Sequence, residues 1–189
     1  MSALRGRVRP LFWPRPRRLC AFLGIVLAGA VWVRVAHAQM QASEVEVKAA
    51  FIYNFALFTT WPAGAIAGDA PMVLCVSPDH PLRAALQKLT GKSVRGHRLQ
   101  IRSIDNGSVA GCHVLVIDDH VGTVPLDAAT PVLTVSDTGK AVRTGGGAGP
   151  IVALALQDNR VVFDIDAAAA RQAHLDISSQ LLRLARSVQ

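Results

Sequence analysis

The stretch VKAAFIYNFALFTTWP, residues 47–62, constrains the fold more than any other part of the chain. Ser43-Glu44-Val45-Glu46 has the form of a capping box, in which the Ser43 hydroxyl and the Glu46 carboxylate satisfy each other's backbone amides. The helix opened there is predicted to run to about Thr60, where Trp61-Pro62 and then Gly64 stop it. At 100° per residue, Val47, Phe51, Asn54, Phe55, Phe58 and Trp61 share one broad sector, with Ala50 and Leu57 on its flank. Ile52, Tyr53 and Ala56 fall mostly outside that sector, yet they too are apolar or aromatic. A helix apolar nearly all round must be covered on more than one side, by a sheet, other helices or another chain. Five of the ten aromatic residues lie here, and at helical spacing such residues are ordinarily core, which suits Phe51, Phe55 and Phe58. Asn54 is the exception. A buried amide needs a partner, so Asn54 either ties the helix to neighbouring backbone or marks a pocket or an interface.

What covers such a helix is readable downstream. Residues 72–76 (MVLCV), 114–117 (VLVI) and 131–137 (PVLTVSD) are short apolar runs closed by turn residues, as buried strands are. Residues 99–104 alternate apolar with Gln or Arg and read as a half-exposed edge strand. Between them, Leu82, Ala85, Leu86 and Leu89 mark a short helix over 81–89, stopped by Gly91. IVALAL and RVVFDID flank Gln157-Asp158-Asn159, the spacing of a β-hairpin. Residues 167–188 read as helical, broken near Asp176, with Leu181, Leu182, Leu184 and Val188 on an apolar face. Strands alternating with helices give an α/β class: one domain, a mostly parallel sheet flanked by helices, a C-terminal antiparallel hairpin and terminal helices.

The formal charge of +7 is misleading, because it is concentrated at one end. Residues 1–38 carry seven of the 20 Lys and Arg and no acid, which leaves 13 cations against 13 Asp and Glu in 39–189. Those first residues combine an Arg-rich start, an apolar run from Leu19 to Val33, and Ala36-His37-Ala38. This is the layout of a secretory signal peptide cleaved after Ala38, with an apolar part short for a span of roughly 20 residues. Residues 39–189 are therefore expected to be an exported domain with no stable membrane insertion after cleavage. With no net basic charge left, nucleic acid is not an expected partner. Two cysteines remain, Cys75 and Cys112. In an oxidising compartment they are a natural disulfide pair, the alternative being two buried free thiols on strands.

Catalytic signatures are weak. Asp137-Thr138-Gly139 is the tripeptide that aspartic proteases use in pairs, but here it ends a strand in an α/β chain. Asp118-Asp119-His120, with His113, has metal-binding residue types, although neighbours on a strand end point to opposite sides. The run from Gly145 to Gly149 lacks the Gly-Lys-Ser/Thr of a phosphate loop. Ser178 and Ser179 lie in no nucleophile elbow. The expectation is a non-enzyme with no cofactor and no metal.

EVEVKAAFIYNFALFTTWP, LCVSPDHP, GCHVLVI, PVLTVSD, NRVVFDID and ISSQLLRLA, in this order and spacing, resemble the YfiR family of periplasmic proteins over roughly residues 43–187. The resemblance implies an α/β domain that dimerises in the periplasm. It further implies a repressor that binds the periplasmic sensory domain of an inner-membrane diguanylate cyclase of the YfiN type, lowering cyclic di-GMP and biofilm formation. Cys75 and Cys112 stand where the family has one cysteine pair. A second pair, carried by some members around the glycine-rich segment, has no counterpart in residues 144–150. Under this reading Tyr53, Asn54, Phe58 and Trp61 are the candidate interface or pocket residues. A periplasmic small-ligand sensor acting on another membrane signalling protein is the alternative.

Overall fold

The computed structural model describes residues 44–104, 108–118, 125–138 and 149–189. Helix α1 spans residues 44–57 and leads directly into β1 (Thr59–Thr60). The helix stops before Thr60 because the Thr59 hydroxyl turns back to donate to the Phe55 carbonyl (2.8 Å) and the next residues pair as a strand. Then come β2 (Met72–Val76), α2 (Arg83–Gln87), β3 (Ser93–Val94), β4 (His97–Ser103), β5 (Val114–Ile117) and β6 (Leu133–Ser136). β7 (Val152–Gln157) and β8 (Arg160–Ile165) form the hairpin, with Asp158 and Asn159 both at positive φ in its two-residue turn. Asp and Asn are among the few non-glycine residues that tolerate that backbone well.

The chain after β8 is not one broken helix. It folds as α3 (Ala167–Gln172), β9 (Asp176–Ile177), α4 (Ser179–Leu182) and β10 (Ser187–Val188). Asp166 caps α3 by accepting from the Ala169 amide, and Ser178 caps α4 by accepting from the Gln180 amide. Between them β9 pairs antiparallel with β1, and β10 pairs parallel with the end of β8. Helical periodicity fails here because two-residue strands carry no period for it to detect.

The main sheet runs β10-β8-β7-β6-β5-β2-β4-β3. Strands β4, β2, β5, β6 and β7 are mutually parallel, β8 runs against them, and β3 is an antiparallel cap on the start of β4. The outer edge of β4 is thus covered by β3 at His97 and Arg98, and its remainder ends the sheet. Along each central strand the side chains alternate between two cores. Met72, Leu74, Val76, Val114, Val116, Leu133 and Val135 face the core shared with α1, α2, α3 and α4. Val73, Cys75, Leu115 and Ile117 face a smaller core closed by Ile104, Cys112, Leu126 and Val132. The helices therefore bury their apolar residues on one side of the sheet, and loops cover the other.

Within α1 the most buried residues are Ala49, Ile52, Phe55 and Ala56. This is a narrower stripe than the helical wheel suggests, and it is rotated from the sector centred on Phe51 and Phe58. Two alanines let the helix approach the sheet closely, so Ile52 and Ala56 sit at the tightest contact while Val47 and Asn54 are exposed.

Candidate binding surface

Phe51, Phe55 and Phe163 form a ring cluster, with centroids 4.9 Å apart for Phe55 and Phe163 and 5.8 Å for Phe51 and Phe163. Phe55 is the buried member. Phe51 and Phe58 are half-buried, because the layer above them is left open. The opening is a groove of about 450 Å³ between α1, β8 and the segment after α4. Phe51, Asn54, Phe58, Val161, Leu181 and Leu184 line it. Leu184, read from sequence as part of a buried apolar face, is 66% exposed at its rim. Asn54 also stands at the rim, exposed, so it needs no buried partner.

Arg186 supplies the groove's cation, and it is held rather than free. Its guanidinium binds both Asp164 oxygens, one at 3.0 Å, and donates to Gln157 Oε1 at 3.1 Å. Those Arg186 bonds, helped by the Ser187 hydroxyl, hold the Asp164 carboxyl below its usual range against the opposing effect of burial. The groove is therefore an apolar surface with a neutralised polar edge.

The four residues singled out from sequence separate into two groups. Asn54 and Phe58 line the groove. Tyr53 points the other way, donating from its hydroxyl to the Ser93 carbonyl (2.8 Å) with Lys92 over its ring. Trp61 donates from Nε1 to the His113 carbonyl (3.2 Å). Their polar atoms thus fasten α1 and the segment after it to β3 and to the start of β5.

Cys75 and Cys112 are joined by a disulfide that ties β2 to the loop entering β5, both sulfurs within the loop-covered core. Sequence reasoning missed Arg102, whose guanidinium lies 3.1 Å from Cys112 Sγ and 3.4 Å from Cys75 Sγ while also donating to the Ala110 carbonyl. Arg102 occupies a register position opposite Cys75 on β4, a pairing visible only once the strand order is known.

At the C-terminal ends of β2 and β6, Asp137 Oδ1 lies 3.6 Å from buried His80 Nε2. Lys48 Nζ reaches the Asp137 carbonyl (3.1 Å) and Glu44 (2.8 Å). Burial pushes the Asp137 carboxyl up, but the His80 bond and the nearby Lys48 charge prevail and lower it. His80 Nδ1 accepts from the Leu82 amide, so both ring nitrogens are engaged. The cluster clamps α1 to two strand ends. Asp119, His120, Gly139 and residues 145–148 lie outside the described residues, as do Ser43 and the proposed leader 1–38. A cavity of about 460 Å³ beside α3 is lined by Asp127, Thr134 and Asp166, each already bonded to local backbone.

Residues 45–186 match the family model described as YfiR/HmsC-like. No curated protein matches the chain.

Proposed function

The chain belongs to the YfiR/HmsC-like family, and from that premise we propose that it is a periplasmic repressor of an inner-membrane diguanylate cyclase. It acts on the periplasmic sensory domain of a YfiN-type partner and so lowers cyclic di-GMP and biofilm formation. Residues 1–38 direct export and are removed, and the mature domain works as a homodimer. Among the described residues no helix is long and apolar enough to cross a membrane.

The observation that carries the reading is the open groove beside α1. A repressor needs no reacting group; it needs a surface that binds one conformational state of its target more tightly than another, and about 100-fold preference moves the output markedly. An exposed apolar surface around Phe58, Asn54 and Leu184 can supply that preference without disturbing the core.

The test is deletion of the gene, with cyclic di-GMP measured in parent, mutant and complemented strains. Deletion raises the messenger and the wild-type gene restores it. Leu184→Asp fails to restore it although the protein accumulates and melts as wild type does. No rise on deletion, with no cyclase recovered by pull-down, refutes the reading.

The groove's volume favours one second reading, a small-ligand sensor, since it falls in the range of ligand pockets, roughly 300–1,000 Å³. Native mass spectrometry of the protein from the periplasm decides between them: a retained small molecule, with no effect of deletion on cyclic di-GMP, favours the sensor.

A further inference from the structure

The positive charge of the domain is segregated. Residues 80–104 carry six Lys or Arg, at positions 83, 88, 92, 95, 98 and 102, and no Asp or Glu. They build α2, β3 and β4, one edge of the sheet. Three of them are committed to polar partners, Arg83 to Ser103, Lys88 to Glu46 and Arg102 to the disulfide, and Lys92 lies over the Tyr53 ring. Lys92, Arg95 and Arg98 are exposed, and Arg95 and Arg98 make no ion pair among the described residues.

Arg95 occupies an unusual place. It opens the two-residue turn between β3 and β4 with φ of +50°, followed by Gly96 at +91°. Such turns favour Asn, Asp or Gly, and a bulky side chain there costs stability. The strain sets a guanidinium at the tip of the hairpin.

Against that tip lies a second feature, the segment WPAGAIAG, residues 61–68, which has no charged residue. Trp61, Pro62, Ile66, Arg95 and His97 line one cavity of about 210 Å³, so loop and hairpin form a common end of the domain. Pro62, Ala63 and Ala67 are exposed, and Trp61 and Ile66 are half-exposed. Asp69, exposed, follows the loop directly, and the Ala70 carbonyl beside it meets His97 Nδ1 at 2.8 Å, so this end carries one acid against its three cations.

We propose that this end, the neutral loop 61–68 together with Lys92, Arg95 and Arg98, is a docking surface for an anionic lipid bilayer. Cations that can reach the phosphates, beside a shallow apolar loop holding one Trp, match the layered chemistry of a membrane interface. A protein partner with acidic side chains is the competing occupant, and the vesicle experiment separates the two. Attachment would be reversible, since three cations and a shallow loop fall far short of an inserted helix. The proposal uses the periplasmic reading only to say where such a bilayer is met, and vesicle binding is read independently of any repression.

The experiment is co-sedimentation of the purified protein with vesicles of phosphatidylethanolamine containing one quarter phosphatidylglycerol, and with vesicles of phosphatidylcholine alone. Binding to the anionic vesicles, weakening as added salt shortens the Debye length from about 10 to about 3 Å, is expected, with none to the neutral ones. Arg95→Asn relieves the turn and should melt at or above the wild-type temperature. Combined with Arg98→Gln it should weaken vesicle binding about 25-fold, roughly fivefold for each cation at an anionic surface. Equal binding to both vesicle types, binding to neither, or a double variant that binds as wild type overturns the proposal. A double variant that loses repression while the wild type ignores vesicles overturns it too, and assigns the cations to an acidic protein face.

Discussion

Breaking the Cys75–Cys112 bridge should cost this fold much of its stability. The bridge closes a loop of 37 residues. In the chain-entropy model that constraint removes about 13 cal/mol/K from the unfolded chain, or about 4 kcal/mol at room temperature. For a domain of this size each kcal/mol moves the midpoint by roughly 2–4 °C, so the expected loss is about 8–15 °C. The architecture gives further reason to expect the full amount: the bridge sits on the face that loops, not helices, cover, and it fastens one of those loops to β2. Circular dichroism melts should be run on wild type and on Cys75→Ala/Cys112→Ala, each with and without dithiothreitol. Reductant should lower the wild-type midpoint towards that of the variant and leave the variant unmoved. The variant should melt lowest of all, because removing two buried sulfurs adds a cavity cost to the lost constraint. A wild-type midpoint unchanged in reductant, with thiol labelling showing both cysteines reduced, would refute the reasoning.

Two further outcomes follow from single side chains. Phe55→Ala removes the buried centre of the ring cluster and should cost about 3–5 kcal/mol in chemical denaturation; a loss near that of an exposed substitution would show that α1 is not packed as described. His113 accepts from the Val73 amide at Nδ1 and meets the Ala65 carbonyl at Nε2, and burial, outweighing the Ala65 bond and aided by the charges of His97 and Arg102, lowers its pKa from 6.5. Its neutral form is the folded one, so its contribution is complete above pH 6.5 and falls away as pH drops towards the folded value. Melting temperature measured from pH 8 to pH 5 should decline below that point, and His113→Ala should flatten the decline.

The longer strands, the hairpin turn and the helical run over residues 44–57 follow from local pattern, because each has a period or a turn chemistry that one sequence displays. Where two-residue strands decide the path, as at Thr59–Thr60, Asp176–Ile177 and Ser187–Val188, the pattern is silent, since pairing is a property of two distant segments. The same limit governs the site. Asn54 is readable as an exception on a helix, whereas Phe58 reads by its spacing as core, and Leu184 looks like one more core leucine until α4 ends at Leu182 and leaves it outside. Arg102 looks like a solvated residue of an edge strand until the parallel register sets it beside Cys75.

The division of the aromatics explains why one helix carries so many of them. Through Phe51 and Asn54, with Phe58 just past its end, α1 lines the groove; through the Tyr53 hydroxyl it holds the Ser93 carbonyl, and so the basic hairpin. Trp61, just beyond it, secures the neutral loop to the start of β5. A rigid body therefore joins two surfaces of opposite character, one apolar and one cationic. If the first grips the sensory domain of a membrane cyclase while the second rests on the lipid around it, neither contact has to be strong. Under the proposed repressor reading, holding the domain at the bilayer would raise its effective concentration at the cyclase, and combined binding would exceed either contact by 100-fold or more (about 10²–10⁴). The two arms are separable: Leu184→Asp should abolish repression at any expression level, whereas Arg95→Asn/Arg98→Gln should weaken it in a way that overexpression restores. A hairpin variant that overexpression does not rescue would place the cations in the cyclase contact itself.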